Sequence, residues 1–216
     1  MKLIEKREIF LQKIASLEQL ISRRRRLART EQHIKRVTVT EAQARYYFCQ
    51  IAAGLKYLSD KKILHRDIKL ANLLLAADMT VKIADFGLAI PLAELKAPSL
   101  CGTPNYISPE VLNGQGHSLG SDLWAVGCVI YALLCGSPPF QSESRETTYL
   151  LIKALRFKIP PELSLQAVQF IMKLLDKKPL YRGNLNPPED PRSLLGSSLM
   201  SSPSSKFSSI DRSLGT

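Results

Sequence analysis

The 216-residue chain predicts a mainly α-helical lobe built around one apolar helix and carrying a single small β-hairpin. Three observations lead there. Residues 122–134, Asp-Leu-Trp-Ala-Val-Gly-Cys-Val-Ile-Tyr-Ala-Leu-Leu, are apolar nearly all round, as befits a helix at the centre of a domain rather than on its surface. Tyr46, Tyr47, Ile51, Leu55 and Leu58 keep helical spacing downstream of a capping signal. Between these two helices the period changes. Leu73-Leu74-Leu75 and Val81-Lys82-Ile83-Ala84 read as short strands joined by a polar turn around Asp78.

A hydrophobic content of 45% over this length provides for one core plus tails. Residues 1–36 read as a basic amphipathic helical segment, because Leu3, Phe10, Ile14, Leu17 and Ile21 follow a three-and-four spacing. That segment carries 11 Lys/Arg against 4 Glu, whereas residues 37–182 carry 16 against 12. Most of the net charge of +11 is therefore N-terminal. Arg23, Arg24, Arg25, Arg26 and Arg29 offer a surface for an acidic partner, with a solvated basic face as the plainer alternative. Nucleic acid is disfavoured, since no aromatic residues interleave with the arginines to stack bases.

The first helix of the lobe is expected near Glu41, where Thr40 with Gln43 and Thr38 with Glu41 both have capping-box spacing. Ser59-Asp60-Lys61-Lys62 should end it. Further helices are predicted over residues 147–155 and 165–175. Ser, Pro and Gly dominate residues 183–216, so that tail is predicted to stay disordered. The organisation is thus 1–36, 37–182 and 183–216. Cys49, Cys101, Cys128 and Cys135 show no C-x-x-C pairing and no ligand-like clustering with His33, His65 or His117, which predicts a reduced intracellular compartment. No apolar run reaches the ~18 residues of a membrane helix, and the N-terminus lacks the pattern of a secretory signal.

The chemistry lies in three ordered motifs: His65-Arg66-Asp67-Ile68-Lys69-Leu70-Ala71-Asn72, then Asp85-Phe86-Gly87, then Ser108-Pro109-Glu110. Asp67 supplies a carboxylate able to take a hydroxyl proton, and Lys69 a cation to offset charge on a transferring phosphoryl group. An antiparallel hairpin returns Asn72 and Asp85 to the same end. Two hard oxygen ligands would there face one Mg²⁺ that keeps its other positions for water and phosphate.

This ordered set resembles the eukaryotic protein kinase signature, and residues from about 20 to 182 look like the large, C-terminal lobe of a kinase domain. Cys101-Gly102-Thr103-Pro104-Asn105-Tyr106-Ile107-Ser108-Pro109-Glu110, with Arg45-Tyr46-Tyr47, Gly54-Leu55-Lys56-Tyr57-Leu58 and Leu134-Cys135-Gly136-Ser137-Pro138-Pro139-Phe140, resembles the Polo-like serine/threonine kinases. Asn105 is the discriminating position. Phrases typical of the centriole-duplicating and of the mitotic branches are mixed, and the branch stays open.

The resemblance implies ATP and Mg²⁺ as cofactors, proteins with Ser/Thr acceptors as substrates, and a location in cytoplasm, nucleus or centrosome. Asp67 would be the catalytic base, and Lys69 would contact the transferred phosphate. Asn72 and Asp85 would hold the metal, and Thr103 would stand in the loop that receives the substrate hydroxyl. Ser99, two residues before Cys101, would be the activating phosphorylation site with Arg66 as its cationic partner. Glu110 and Arg182 would form a structural ion pair, and Asp122 would hold the backbone of the catalytic loop.

The departures shape the functional expectation. The first 64 residues contain one glycine, Gly54, so no glycine-rich phosphate loop precedes the catalytic loop, and the strand lysine is missing too, since Lys35 directly precedes the helix that should follow a whole small lobe. Gly114-Gln115-Gly116-His117-Ser118-Leu119-Gly120 reads as a surface turn. Residues 1 to about 20 match nothing in the family, and Polo-box modules are missing. The expectation is an incomplete kinase domain transferring the ATP γ-phosphate to Ser or Thr. The alternative is a catalytically silent kinase-like interaction module.

Overall fold

Thr40 starts the first helix, α1 (Glu41–Asp60), through a reciprocal pair of bonds. Its hydroxyl accepts from the Gln43 backbone N–H at 3.3 Å, and Gln43 Oε1 accepts from the Thr40 N–H at 2.9 Å. In this computed structural model residues 38–76, 78–95 and 99–182 are described. The predicted basic helix with Arg23 to Arg26 and Arg29, and the predicted tail 183–216, lie outside the described residues. The other capping option, Thr38 with Glu41, is not used, because Glu41 has a distant partner. Its carboxylate accepts from the Ser164 N–H at 2.7 Å and from the Ser164 hydroxyl at 2.6 Å. Ser164 caps helix α5 (Leu165–Leu174), so one carboxylate fastens the start of α1 to the start of α5.

The short helix α2 (Pro109–Leu112) leads to the central helix α3 (Leu119–Cys135). Helix α4 (Arg145–Ala154) follows, two residues ahead of its predicted start because Ser144 caps it by accepting from the Thr147 N–H. Every residue of α3 from Ser121 to Leu133 is buried, which is why its sequence shows no polar face. Gly136, at φ +81°, closes it in the left-handed conformation that glycine adopts without strain.

Trp124 is fully buried and stacks on Phe140 with ring centroids 5.4 Å apart, and Phe140 meets Phe157 edge-on. Helices α3 and α5 approach so closely that a Cβ on Gly127 would stand 2.9 Å from the Leu174 Cβ. Glycine there sets the helix separation.

The predicted hairpin is present. Strands β2 (Leu73–Leu75) and β3 (Val81–Ile83) pair antiparallel with Leu73 opposite Ile83, and Asp78 shapes their turn by accepting from the Thr80 N–H and hydroxyl. A second ladder joins β1 (Ile63–Leu64) to β4 (Ile90–Pro91). It escapes sequence reading because two-residue strands carry no alternation.

A buried ion pair locks the far side. Arg182 donates to both Glu110 oxygens at 2.6 and 2.8 Å, and to the carbonyls of Gly120 and Asp176. Its guanidinium lies 5.0 Å over the Trp124 ring. Burial by itself would raise the Glu110 carboxyl, but the bonds and charge of Arg182 outweigh it and hold the group below its usual 4.5.

Arg182→Ala strands Glu110 as an unpaired buried carboxylate and is expected to cost about 3–5 kcal/mol in urea unfolding. Because the folded value is depressed, the pair's contribution is complete above pH 4.5 and is lost as pH falls through the folded value. Glu110→Gln should remove that acid-side slope.

Candidate active site

Helix α3 builds the site from below. Asp122, in its first turn, is buried and accepts two backbone bonds from the loop after β1: Oδ2 from the His65 N–H and Oδ1 from the Arg66 N–H, both at 2.9 Å. These bonds hold Arg66 at φ +68°, a conformation costly for a non-glycine residue unless its surroundings impose it. The segment carrying Thr103 passes against this turn. A Cβ on Gly102 would come within 2.9 Å of the Arg66 carbonyl oxygen, and Gly102 itself sits at φ +103°.

Asp67 stands at the centre. Its Oδ1 accepts from the Thr103 hydroxyl at 2.8 Å and the Thr103 N–H at 3.1 Å. Its Oδ2 accepts from Lys69 Nζ at 2.7 Å and from Asn72 Nδ2 at 3.1 Å. Lys69 also donates to the Thr103 hydroxyl at 2.9 Å. Burial alone would push the Asp67 carboxyl up, yet the bonds from Lys69, Thr103 and Asn72 and the charge of Lys69 leave it below the ordinary value. Asp67 is therefore a carboxylate at neutral pH, held in place and able to accept a proton.

Asn72 Nδ2 also donates to the Asp67 carbonyl at 2.8 Å. The amide nitrogen is thereby committed, and the carbonyl oxygen of the side chain becomes the group offered to a cation. The hairpin register does the rest, since the Ala84 N–H donates to the Asn72 carbonyl at 2.8 Å. Asp85, the next residue, emerges at the same end with φ +61° and an exposed side chain. Among the described residues no cluster of three or more His, Cys, Asp or Glu could hold a metal. One amide oxygen and one carboxylate suit Mg²⁺, which binds few protein ligands and keeps waters for exchange with phosphate oxygens.

His65 is fully buried and joins the two halves of the site. Its Nδ1 accepts from the Asp67 N–H at 3.3 Å, so Nε2 carries the hydrogen donated to the Ala84 carbonyl at 3.1 Å. Its ring lies 4.9 Å from that of Phe86. Burial keeps the imidazole pKa low, ahead of the opposing pull of the Ala84 carbonyl and of Asp67 and Asp85. The sequence reading names His65 as motif but gives it no task.

Arg66 reaches the Leu88 carbonyl at 2.7 Å and the Ser99 hydroxyl at 3.2 Å. Cys101 Sγ lies 3.3 Å from His117 Nε2, a contact across sixteen residues that sequence spacing does not announce. The predicted residues thus fall into three groups. Asp67, Lys69, Asn72 and Thr103 form one bonded cluster, with Asp85 at the hairpin end beside it. Arg66 and Ser99 form a second contact, and Glu110, Asp122 and Arg182 support from below.

A loop carboxylate bonded to a lysine, with an amide and a second carboxylate flanking the next hairpin, is an arrangement compatible with phosphoryl transfer. A protein kinase domain model matches residues 12–187, and the chain belongs to the protein kinase family. That match begins upstream of the position near residue 20 from which the motif likeness is read. Within the family its relatives include Polo-like kinases. It is 52% identical over 155 residues to serine/threonine-protein kinase plk-2 of Caenorhabditis elegans, covering 71% of this chain and 24% of that protein. With PLK2 of Mus musculus the identity is 46% over 153 residues, 70% of this chain and 22% of the relative. With PLK1 of Xenopus tropicalis it is 43% over 164 residues, 75% and 27%. The chain spans about a quarter of the length of these relatives.

Burial raises the Asp122 carboxyl from 3.8 to about 6, against the pull of the His65 and Arg66 amides and the Arg66 charge. A raised folded value means that this group's contribution is full below pH 3.8 and is lost as pH rises through about 6. Asp122→Asn keeps one acceptor but turns an NH₂ towards the other backbone N–H. It should cost about 1–3 kcal/mol and abolish that decline, as pH-dependent urea unfolding would show.

Proposed function

We propose that this chain is the substrate- and metal-binding lobe of a Polo-like serine/threonine kinase, acting in transfer of the ATP γ-phosphate to Ser or Thr hydroxyls of proteins. The observation that carries the reading is the Asp67 carboxylate, ionised and shared between Thr103 on one oxygen and Lys69 and Asn72 on the other. A substrate hydroxyl entering beside Thr103 would meet an acceptor for its proton. Lys69 would lie beside the transferring group, where it offsets developing negative charge. Asn72 and Asp85 would hold Mg²⁺, which when bound neutralises phosphate charge and orients the nucleotide.

Among the described residues no helix is long and apolar enough to cross a membrane, and Cys49, Cys101, Cys128 and Cys135 are all free thiols. Free thiols support an intracellular setting, and cytoplasm, nucleus or centrosome is the proposed range. The second reading, a silent module that binds kinase partners or substrates, is favoured by the single glycine in residues 1–64. Positioning is most of what a kinase contributes, and a nucleotide without a glycine-rich loop and a strand lysine loses its preorganised phosphate contacts.

The chain alone is therefore expected to show little ATP-dependent phosphorylation of a generic Ser/Thr protein. Fused to a small lobe supplying both features, it should gain activity that Asp67→Asn lowers at least ~100-fold. No gain in the fusion, with retained substrate binding, would assign the silent module instead. Strong activity in the unfused chain, abolished by Asp67→Asn, would show that the missing features are dispensable.

Ser99 is proposed as the activating phosphorylation site. Its hydroxyl already touches Arg66, whose backbone belongs to the catalytic loop, so a phosphate there would gain charge-assisted bonds that tie the two segments together. In the active fusion, Ser99→Ala should lower kcat at least about tenfold, the equivalent of one charge-assisted bond. An unchanged kcat removes the role.

A further inference from the structure

We infer that Gln50, on helix α1, is a positioning residue for the metal-facing end of the β2–β3 hairpin, its side-chain amide setting where Asp85 stands relative to Asn72. The inference deepens the metal-binding reading given above and rests on it for its functional meaning.

Gln50 is a half-buried amide beside Tyr47 and Ile51, both buried apolar residues of the same helix. It spends both of its functional groups on one target. Its Oε1 accepts from the Val81 N–H at 2.9 Å, and its Nε2 donates to the Met79 carbonyl at 3.3 Å. Strand β3 belongs to a two-stranded ladder, so its outer edge has no neighbouring strand. The glutamine amide, one acceptor and one donor in a fixed plane, takes the place of a peptide group on that edge. A two-stranded hairpin is marginal by itself, and its geometry must come from whatever it is bonded to.

Packing extends the grip along the strand. One helical turn beyond Gln50, Gly54 leaves room for Ile83, whose Cδ1 would stand 2.8 Å from a Cβ at that position. Ile83 is followed by Ala84, whose N–H forms the rung to the Asn72 carbonyl, and then by Asp85 at φ +61°. The path from Gln50 runs through Val81 and Ile83 to the rung that separates the two metal-facing side chains. A leucine at position 50 would fill the space but leave the Val81 N–H and Met79 carbonyl unpaired, and the strand free to slide along α1.

The test compares Gln50→Leu, similar in size with both bonds lost, with Gln50→Glu, which keeps the acceptor for the Val81 N–H, in the full chain. Amide hydrogen exchange should show the Ala84 N–H exchanging at least tenfold faster in Gln50→Leu and at an intermediate rate in Gln50→Glu, whose second oxygen has no proton for the Met79 carbonyl. The Val126 and Val129 amides of α3 should be unchanged in both. Faster exchange confined to Val81 would mean that Gln50 only caps the turn, and an equal rise in α3 would mean a general loss of stability. Either result overturns the inference.

Millimolar Mn²⁺ alone supplies the second readout. Paramagnetic broadening of the Gly87 amide should appear in the wild type, vanish in Asp85→Ala, and need several-fold more Mn²⁺ in Gln50→Leu. Equal Mn²⁺ dependence in wild type and Gln50→Leu overturns the positioning role. No broadening in the wild type would instead overturn the metal reading, with the hairpin geometry still decided by the Ala84 amide.

Discussion

The loop that carries Asp67, Lys69 and Asn72 hangs from the two backbone amides that Asp122 holds. The carboxylate is buried in the first turn of the central helix and accepts from His65 and Arg66, so the helix dictates the path of the loop on which Asp67, Lys69 and Asn72 stand. The cost is visible in the same place, as an acid raised towards neutrality by burial and a non-glycine residue in the left-handed region at Arg66. Strain of this kind persists only where surrounding bonds over-determine it.

From that anchor the site is assembled by elements of different stiffness. The loop residues are bound to each other through Asp67, while the placing of Asp85 beside Asn72 depends on a hairpin only three residues long on each side. His65 bridges them, accepting from the Asp67 N–H and donating to the Ala84 carbonyl. A buried neutral imidazole suits the task because one ring nitrogen accepts and the other donates. The charge of Lys69 has a similar double use, stabilising the ionised Asp67 while contacting Thr103.

What was legible in the sequence follows the range of the interaction. Thr40 with Gln43 is a contact across one helical turn, and the start of α1 can be read from it. The apolar run around Trp124 announces a central helix because it is too long for a buried strand and too short for a membrane span, and the hairpin is announced by its change of period. Glu41 defeats local reading because its partner, Ser164, lies 123 residues away. The β1–β4 ladder is too short to alternate, and Cys101 meets His117 through loop packing that no spacing rule encodes. The approach of Asn72 and Asp85 is legible from the predicted hairpin and the roles of Asp67 and Lys69 from their chemistry, whereas Thr103 joins them only through motif resemblance. Their bonds, and the way Gln50 faces the strand edge, required three dimensions.

The Glu110–Arg182 pair has a consequence for how the lobe is made. Its members lie 72 residues apart, and the arginine sits at the far end of the described fold, over the ring of the central Trp124. During vectorial synthesis Glu110 leaves the ribosome long before its counter-ion exists. A nascent chain that buried α2 against α3 at that moment would enclose an uncompensated anion, so the half-made lobe has reason to remain loose on this side. Closure then waits for the arginine, which makes the turn at Arg182 a checkpoint on the packing of α2 against α3.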